Sequence, residues 1–186
     1  MKKSFWILLV ITCTCFAYCS PRIQHTTDET SMAIDFIKQA MAEKMSGKEF
    51  ILSGKPRNME EFTCLENLME DTAGFSAAER RQIRKQVSHP GITAWTGDMF
   101  PQARILNADT IKAAFMERDK SWPYFHKQYG KSYYQVSVPI FLRNNTLCLF
   151  YTDYNCGPLC GQGAWVLYKK TGDKWESIKT FCRWIS

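Results

Sequence analysis

Tyr133 to Thr152 run YYQVSVPIFLRNNTLCLFYT. In the first half Val136, Val138, Ile140 and Leu142 alternate with Ser137, Pro139 and Phe141. A period of two is the signature of a strand with one buried face. Asn144-Asn145 marks a turn, because asparagine tolerates the left-handed backbone that a two-residue hairpin loop requires. Leu147 to Thr152 then runs back. Such a loop pairs Arg143 with Thr146 and sets Leu142 beside Leu147 and Phe141 beside Cys148. Pro139 cannot donate to a ladder, so its strand is an edge or is bulged there.

Downstream the strand pattern continues. Trp165 to Lys170 reads as a third strand, Thr171-Gly172-Asp173 as a turn, and Trp175 to Trp184 as a fourth strand. Upstream the period becomes helical. Ile34, Ile37, Met41 and Met45 recur at helix spacing, with Ser31 as N-cap and Gly47 past the end. Glu49 to Leu52 suggests a short strand. Asn58-Met59-Glu60-Glu61 has the form of a capping box before a helix that buries Phe62, Leu65 and Met69. Ser76-Ala77-Ala78-Glu79 is a second capping box, with Ile83 and Val87 inward and His89-Pro90-Gly91 as the stop. Residues 92–103 show no period. Asn107 caps a helix with Ile111, Ala114 and Phe115, and Trp122, Phe125 and Tyr129 add further turns up to Gly130. The expected fold is therefore α+β: N-terminal helices packed on a C-terminal four-stranded antiparallel meander.

The N-terminus reads as an export signal. Met1-Lys2-Lys3 precedes the apolar run Phe5 to Ile11, which is shorter than the roughly 20 residues a membrane span needs. Residues 1–19 are taken as the signal peptide, 20–30 as a polar tether and 31–186 as one domain. Cys15-Phe16-Ala17 and Ala17-Tyr18-Cys19 both satisfy a signal peptidase. Cys13 and Cys19 are the lipidation candidates, and neither lies in a clean lipoprotein motif. The expected location is the periplasm or cell envelope, with contact to the membrane only through an N-terminal lipid. Loss of Lys2 and Lys3 with the leader lowers the formal charge from +6 to +4. That mild surplus does not suggest a nucleic-acid partner.

Asn155-Cys156-Gly157-Pro158-Leu159-Cys160-Gly161-Gln162-Gly163 is the densest special composition in the chain. The five cysteines beyond Cys19 include Cys64, and in an exported chain disulfides are the default. Cys156, Cys160, Cys148 and Cys182 are the bridge candidates, with the pairing left open. Three chemistries fail on composition. Cys-Gly-Pro-Leu-Cys has one residue too many for the dithiol redox motif, and strands flank it where that motif needs a helix start. A closed zinc site needs four ligands, whereas Cys148, Cys182, His89 and His126 are isolated candidates. A thiol protease of the papain kind needs a histidine downstream, and none follows His126. The plainer reading is a loop bent by Gly157, Gly161 and Gly163 at positive φ and pinned by a disulfide.

The remaining features favour structure over chemistry. Glu79 to Lys85 is the most basic segment and fits a solvated helix face beside Ile83 and Val87. The aromatics of the second half fit a sheet core better than a binding face. No phosphate loop, dinucleotide fingerprint, nucleophile elbow or zinc-protease motif occurs, and no cofactor is implied. Asn144-Asn145-Thr146 matches the glycosylation triplet by coincidence in a chain of bacterial character.

Trp122-x-x-Phe125, Ser137-Val138-Pro139-Ile140-Phe141, Leu159-Cys160-Gly161-Gln162-Gly163 and Tyr168-Lys169-Lys170 ahead of Gly172 and Trp175 form a recurring look. Over roughly residues 120–176 the chain resembles a loose group of uncharacterised bacterial exported proteins or lipoproteins. The resemblance implies export and β-structure and carries no activity. The leading expectation is a non-enzymatic exported domain that binds another molecule or serves a structural role. Its candidate surface is Tyr154, Asn155, Gly157, Gly161, Gln162 and Gly163, with no catalytic or metal-binding residue assigned. Two alternatives stand beside it: a cysteine-dependent envelope enzyme using Cys160 or Cys156 with His126 or His89 as base, and an inhibitor or immunity-type protein.

Overall fold

The computed structural model describes residues 22–46, 50–60, 64–116 and 121–186. The signal peptide, Cys13, Cys19, Gly47, Glu49, Glu61 and Phe62 lie outside these residues. Among the described residues no helix is long and apolar enough to cross a membrane.

The molecule is a mixed α+β structure built on one sheet. Its elements are α1 (Arg22–Ala40), α2 (Ala42–Met45), β1 (Ile51–Ser53), α3 (Cys64–Glu70), α4 (Ala77–Ser88), β2 (Arg104–Leu106), α5 (Ala108–Met116), α6 (Trp122–Gln128), β3 (Tyr133–Val136), β4 (Ile140–Leu142), β5 (Leu147–Gly157), β6 (Cys160–Thr171) and β7 (Lys174–Ile185). The sheet has seven strands in the order β2-β1-β3-β5-β6-β7, with β4 also pairing with β5. β1 runs parallel to both β2 and β3, and the remaining pairs are antiparallel.

A four-stranded antiparallel meander therefore does not match this sheet in full. The three-residue strands β1 and β2 are too short to show a period, and β2 falls just past the stretch that shows none. The strand expected over 133–142 is also broken. Residues 137–139 interrupt the regular pairing around Pro139, with one extra residue against β5 between Val136 and Ile140, and divide it into β3 and β4, while Ser137 N still donates to the Tyr151 carbonyl at 3.0 Å. The hairpin beyond the break has the expected pairs, Leu142 with Leu147 and Phe141 with Cys148.

β5 alternates between two helical layers. Leu147, Leu149 and Tyr151 pack with Leu65 and Leu68 of α3 and Ile83 and Val87 of α4. Cys148 and Phe150 pack on the other face with Phe36 and Ile37 of α1 and with Met41 and Met45. A third cluster joins Ile51, Leu106 and Tyr133 to Ile111 and Ala114 of α5 and Phe125 of α6. Tyr133 stands opposite Asn155, so this cluster lies on the α3–α4 side of the sheet.

Local chemistry explains the helix ends. Ser76 caps α4 in a full capping box with Glu79. Asn107 Oδ1 accepts from Asp109 N at 2.7 Å ahead of α5. Asn58 Oδ1 accepts from Glu60 N at 3.0 Å, which closes an Asx turn, and α3 starts later, at Cys64. α1 begins at Arg22, inside the stretch 20–30 that reads as a tether, so Ser31 is mid-helix and caps nothing.

Candidate functional site

β5 turns polar on a face that should be apolar. After Leu147, Leu149 and Tyr151, the same face continues with Asp153 and Asn155, between the cluster against α3–α4 and the cluster against α5–α6. Asp153 is only 3 % exposed. Buried charge must be paired and hydrogen-bonded. Asp153 Oδ1 accepts from Asn155 Nδ2 at 2.8 Å, and Oδ2 lies 3.6 Å from Arg57 Nε. The Gln135 backbone N–H and the Tyr151 hydroxyl bond to it as well. Burial pushes the Asp153 carboxyl up to about 6, against the opposing pull of Arg57 and these hydrogen bonds.

Tyr151 links this carboxylate to the last strand. Its hydroxyl accepts from Trp184 Nε1 at 2.8 Å, and burial pushes its pKa up to about 12, so the hydroxyl keeps its proton. The result is a chain from Trp184 through Tyr151 to Asp153, closed by Asn155 and Arg57.

The glycines serve this chain. None of Gly157, Gly161 and Gly163 has a positive φ, contrary to the expectation of a glycine-bent loop. The connection is a tight hairpin in which only Pro158 and Leu159 leave the strands. A Cβ on Gly163 would fall on the Trp184 indole nitrogen and 2.7 Å from the Tyr151 hydroxyl. A Cβ on Gly161 would meet the same indole ring at 3.1 Å. Both glycines leave room for Trp184 to lie flat on β6. The indole reaches them because β7 is bulged. Phe181 pairs with Trp165 and Trp184 with Gly163, so β7 spends one extra residue there, and Cys182 takes φ 50°. The extra residue reverses the alternation and puts Trp184, instead of Arg183, on the face of Phe181.

Cys156 and Cys160 form a disulfide across the hairpin tip, with Cα atoms 5.1 Å apart. Cys182 is disulfide-bonded too. Cys148, a bridge candidate on sequence, is free and fully buried on the α1 side, where burial raises its thiol well above the ordinary value. His126 Nε2 lies 3.1 Å from the Cys156 carbonyl oxygen and its ring packs on Trp122. Among the described residues no group of three or more His, Cys, Asp or Glu is placed to hold a metal ion.

The six residues proposed from sequence as one surface are divided by the sheet. Tyr154 and Gln162 oppose one another on the α1 side, and the Tyr154 ring packs at a tilt against Tyr134, with centroids 4.8 Å apart. Asn155, Gly161 and Gly163 lie on the opposite side, where Asn155 is bonded to Asp153 and both glycines are covered by Trp184. Gly157 faces Cys160 at the tip.

No family model, curated protein or solved structure matches the chain.

No sequence motif marks Arg57, Tyr151, Asp153 and Trp184 as a group. One signal did exist: an aspartate two residues beyond Tyr151 falls on the core-facing parity of β5. The Arg57 and Trp184 contributions arrive from more than ninety and about thirty residues away, and no local pattern announces them.

Proposed function

We propose that this chain is an exported, non-catalytic domain of the cell envelope that binds another molecule. The observation that carries the reading is the Cys156–Cys160 bridge. A sulfur held in a disulfide is not a nucleophile, and disulfides persist in oxidising compartments. The one free described thiol, Cys148, is buried and kept protonated. A cysteine enzyme using Cys160 or Cys156 would thus first need reduction, with His126 already engaged at the Cys156 carbonyl. The lysine start, the short apolar run and the resemblance of residues 120–176 to exported proteins support the same location.

The polar network supports a scaffold role for the hairpin. Asp153 has its acceptors filled by Asn155, Arg57, Gln135 and Tyr151, which leaves it poorly placed to take a proton from a substrate. Mass spectrometry on the chain purified without reductant tests the reading. A mature N-terminus near residues 18–20 and no alkylation of Cys156 or Cys160 until a reductant is added are expected. An unprocessed cytosolic chain, or either cysteine alkylating at once, would overturn it. A single tight partner recovered from envelope extract would turn the reading toward the inhibitor class.

A further inference from the structure

The sheet leaves a strand position empty beside β4. β3 and β4 both pair with the same edge of β5, and β3 is flanked in turn by β1. β1 ends at Ser53, and the chain after it closes on the Val136 carbonyl through Arg57 N at 2.8 Å. Among the described residues no strand pairs with the outer edge of β4. A cavity of about 310 Å³ lies along that edge, over Val138, Pro139 and Phe141. Met32 and Ala33 of α1 wall it on one face of the sheet, and Gln82 and Gln86 of α4 on the other. The Phe141 backbone is turned toward it. Its carbonyl accepts from Gln82 Nε2 at 3.0 Å, so its pair with Cys148 is the non-hydrogen-bonded kind and the Phe141 N–H points outward too. Gln82 thus occupies an acceptor that a neighbouring strand would use, and an open sheet edge is a template for an added strand.

We infer that an extended peptide segment of a partner protein docks in this slot as an added strand, antiparallel to β4 and bonded to both backbone groups of Phe141. An antiparallel neighbour exchanges two hydrogen bonds with a single residue. Phe141 offers both groups, whereas Pro139 has no N–H to offer. The walls set the side chains, because successive residues of a strand point to opposite faces. One set meets Met32 and Ala33, beside the Phe141 ring that packs on Phe36 of α1, and is apolar. The other set meets the amides of Gln82 and Gln86, which donate and accept, and is polar and uncharged. The cations of α4, Arg80, Arg81, Arg84 and Lys85, are absent from the lining. Its carboxylate is Glu29, and Asp28 joins Glu29 in the adjoining cavity of about 570 Å³ at Asn144. Arg143 of that cavity is already paired with Glu79. The end of the slot near Asn144 therefore takes a basic residue, which in an antiparallel peptide is the N-terminal one. From Gln82 to His89 the wall spans about 10 Å, the length of about three extended residues. The inference rests on the reading of the chain as a binding domain and not on its export.

The probe is the peptide acetyl-Lys-Thr-Val-Thr-Val-amide, titrated into the full chain labelled at its phenylalanine nitrogens. The readout is the Phe141 amide signal, assigned by its loss in Phe141→Leu. The peptide is expected to move that signal saturably and to slow exchange of its proton. The same peptide N-methylated at its first valine has no N–H for the Phe141 carbonyl and is expected to bind about tenfold more weakly. Glutamate in place of its lysine is expected to weaken binding about threefold, the scale of an exposed ion pair. Gln86→Trp, an exposed change on α4, fills the slot and is expected to abolish the shift. The N-methyl comparison is made on the peptide, so it gives the answer whatever Gln86→Trp does to the fold. A Phe141 signal unmoved by the peptide, or equal affinity for the N-methylated form, would overturn the inference. Neither outcome would alter the cysteine result that tests the broader reading.

Discussion

β5 ends in two hairpins that are held by different means. At Leu147 it meets β4 through Arg143 to Thr146, where Arg143, Asn144 and Asn145 have φ of 51°, 52° and 61°. That turn is specified by its own residues. Long-range ties support it: Arg143 Nε bonds Glu79 Oε1 at 2.8 Å, its Nη2 bonds the Gly74 carbonyl at 2.9 Å, and Lys170 N donates to the Thr146 carbonyl at 2.9 Å. At Gly157 β5 meets β6 through Pro158-Leu159 and the disulfide. Around that end the order comes from outside the turn: Trp184 from β7, Arg57 from the loop after β1, and a carboxylate buried between two apolar clusters. The first hairpin is a backbone device, and the second is a packing device that uses glycine as empty space.

The sharpest way to break this contrast is to fill the space. Gly163→Val places atoms where the Trp184 indole and the Tyr151 hydroxyl now sit. Overpacking costs about 1–3 kcal/mol, and losing the Trp184–Tyr151 hydrogen bond adds about 1 kcal/mol. The expected loss is about 2–4 kcal/mol in urea unfolding, with a red shift of tryptophan emission as Trp184 leaves its place. Gly157→Ala, whose Cβ would meet only Cys160 Cβ at 3.2 Å, is expected to cost under about 1 kcal/mol. Equal losses at the two positions would refute the packing account.

The two ends also titrate with opposite sign. Asp153 rises from 3.8 to about 6 because burial disfavours its charge. The folded chain then holds a proton that the unfolded chain releases, so the stability it contributes is full below about pH 4 and is lost as pH rises through 6. The size is on the order of 3 kcal/mol, from about 1.4 kcal/mol per pKa unit. Glu79 falls from 4.5 to about 2, first through its hydrogen bond with Arg143. Its contribution is present above about pH 4.5 and is lost as pH falls toward 2. Asp71, lowered chiefly by its hydrogen bond with Lys179, adds to the acid limb. Urea midpoints are expected to rise from pH 7 to pH 5 and to fall below pH 4.5. Asp153→Asn should flatten the upper limb and leave the acid limb in place. A wild-type curve flat between pH 5 and 7 would show that Asp153 is ionised in the fold.

The same division explains what could be read from the chain. The Asn144-Asn145 turn, the register beyond it, the Ser76 capping box and the inward Ile83 and Val87 are local patterns, and the structure contains each of them. The glycines of the second hairpin were legible as unusual but were assigned the wrong physics. Gly161 and Gly163 look like a demand for unusual φ, and their reason is a tryptophan some twenty residues later. That tryptophan reaches them only because Cys182 bulges β7, a feature with no signature in strand alternation. β2 shows no period because it has three residues, and β1, which overlaps the short strand expected over 49–52, carries no local sign of its parallel pairing.

The smallest effects test the first hairpin. If its turn is set by backbone conformation, Asn145→Val should cost about 1–2 kcal/mol, because a β-branched residue pays in full for left-handed φ where asparagine does not. Arg143→Ala removes the pair with Glu79, in which Arg143 is 51 % exposed, and should cost under about 1 kcal/mol. Urea unfolding of both variants at low salt and at 1 M salt separates the two contributions. The Asn145→Val loss should ignore salt, since it is steric, while the Arg143→Ala loss should shrink as the exposed ion pair is screened. If Arg143→Ala proves the larger of the two, the turn is held by its tie to the α4 capping box. The two hairpins would then differ in which distant residue holds them, and not in whether one is needed.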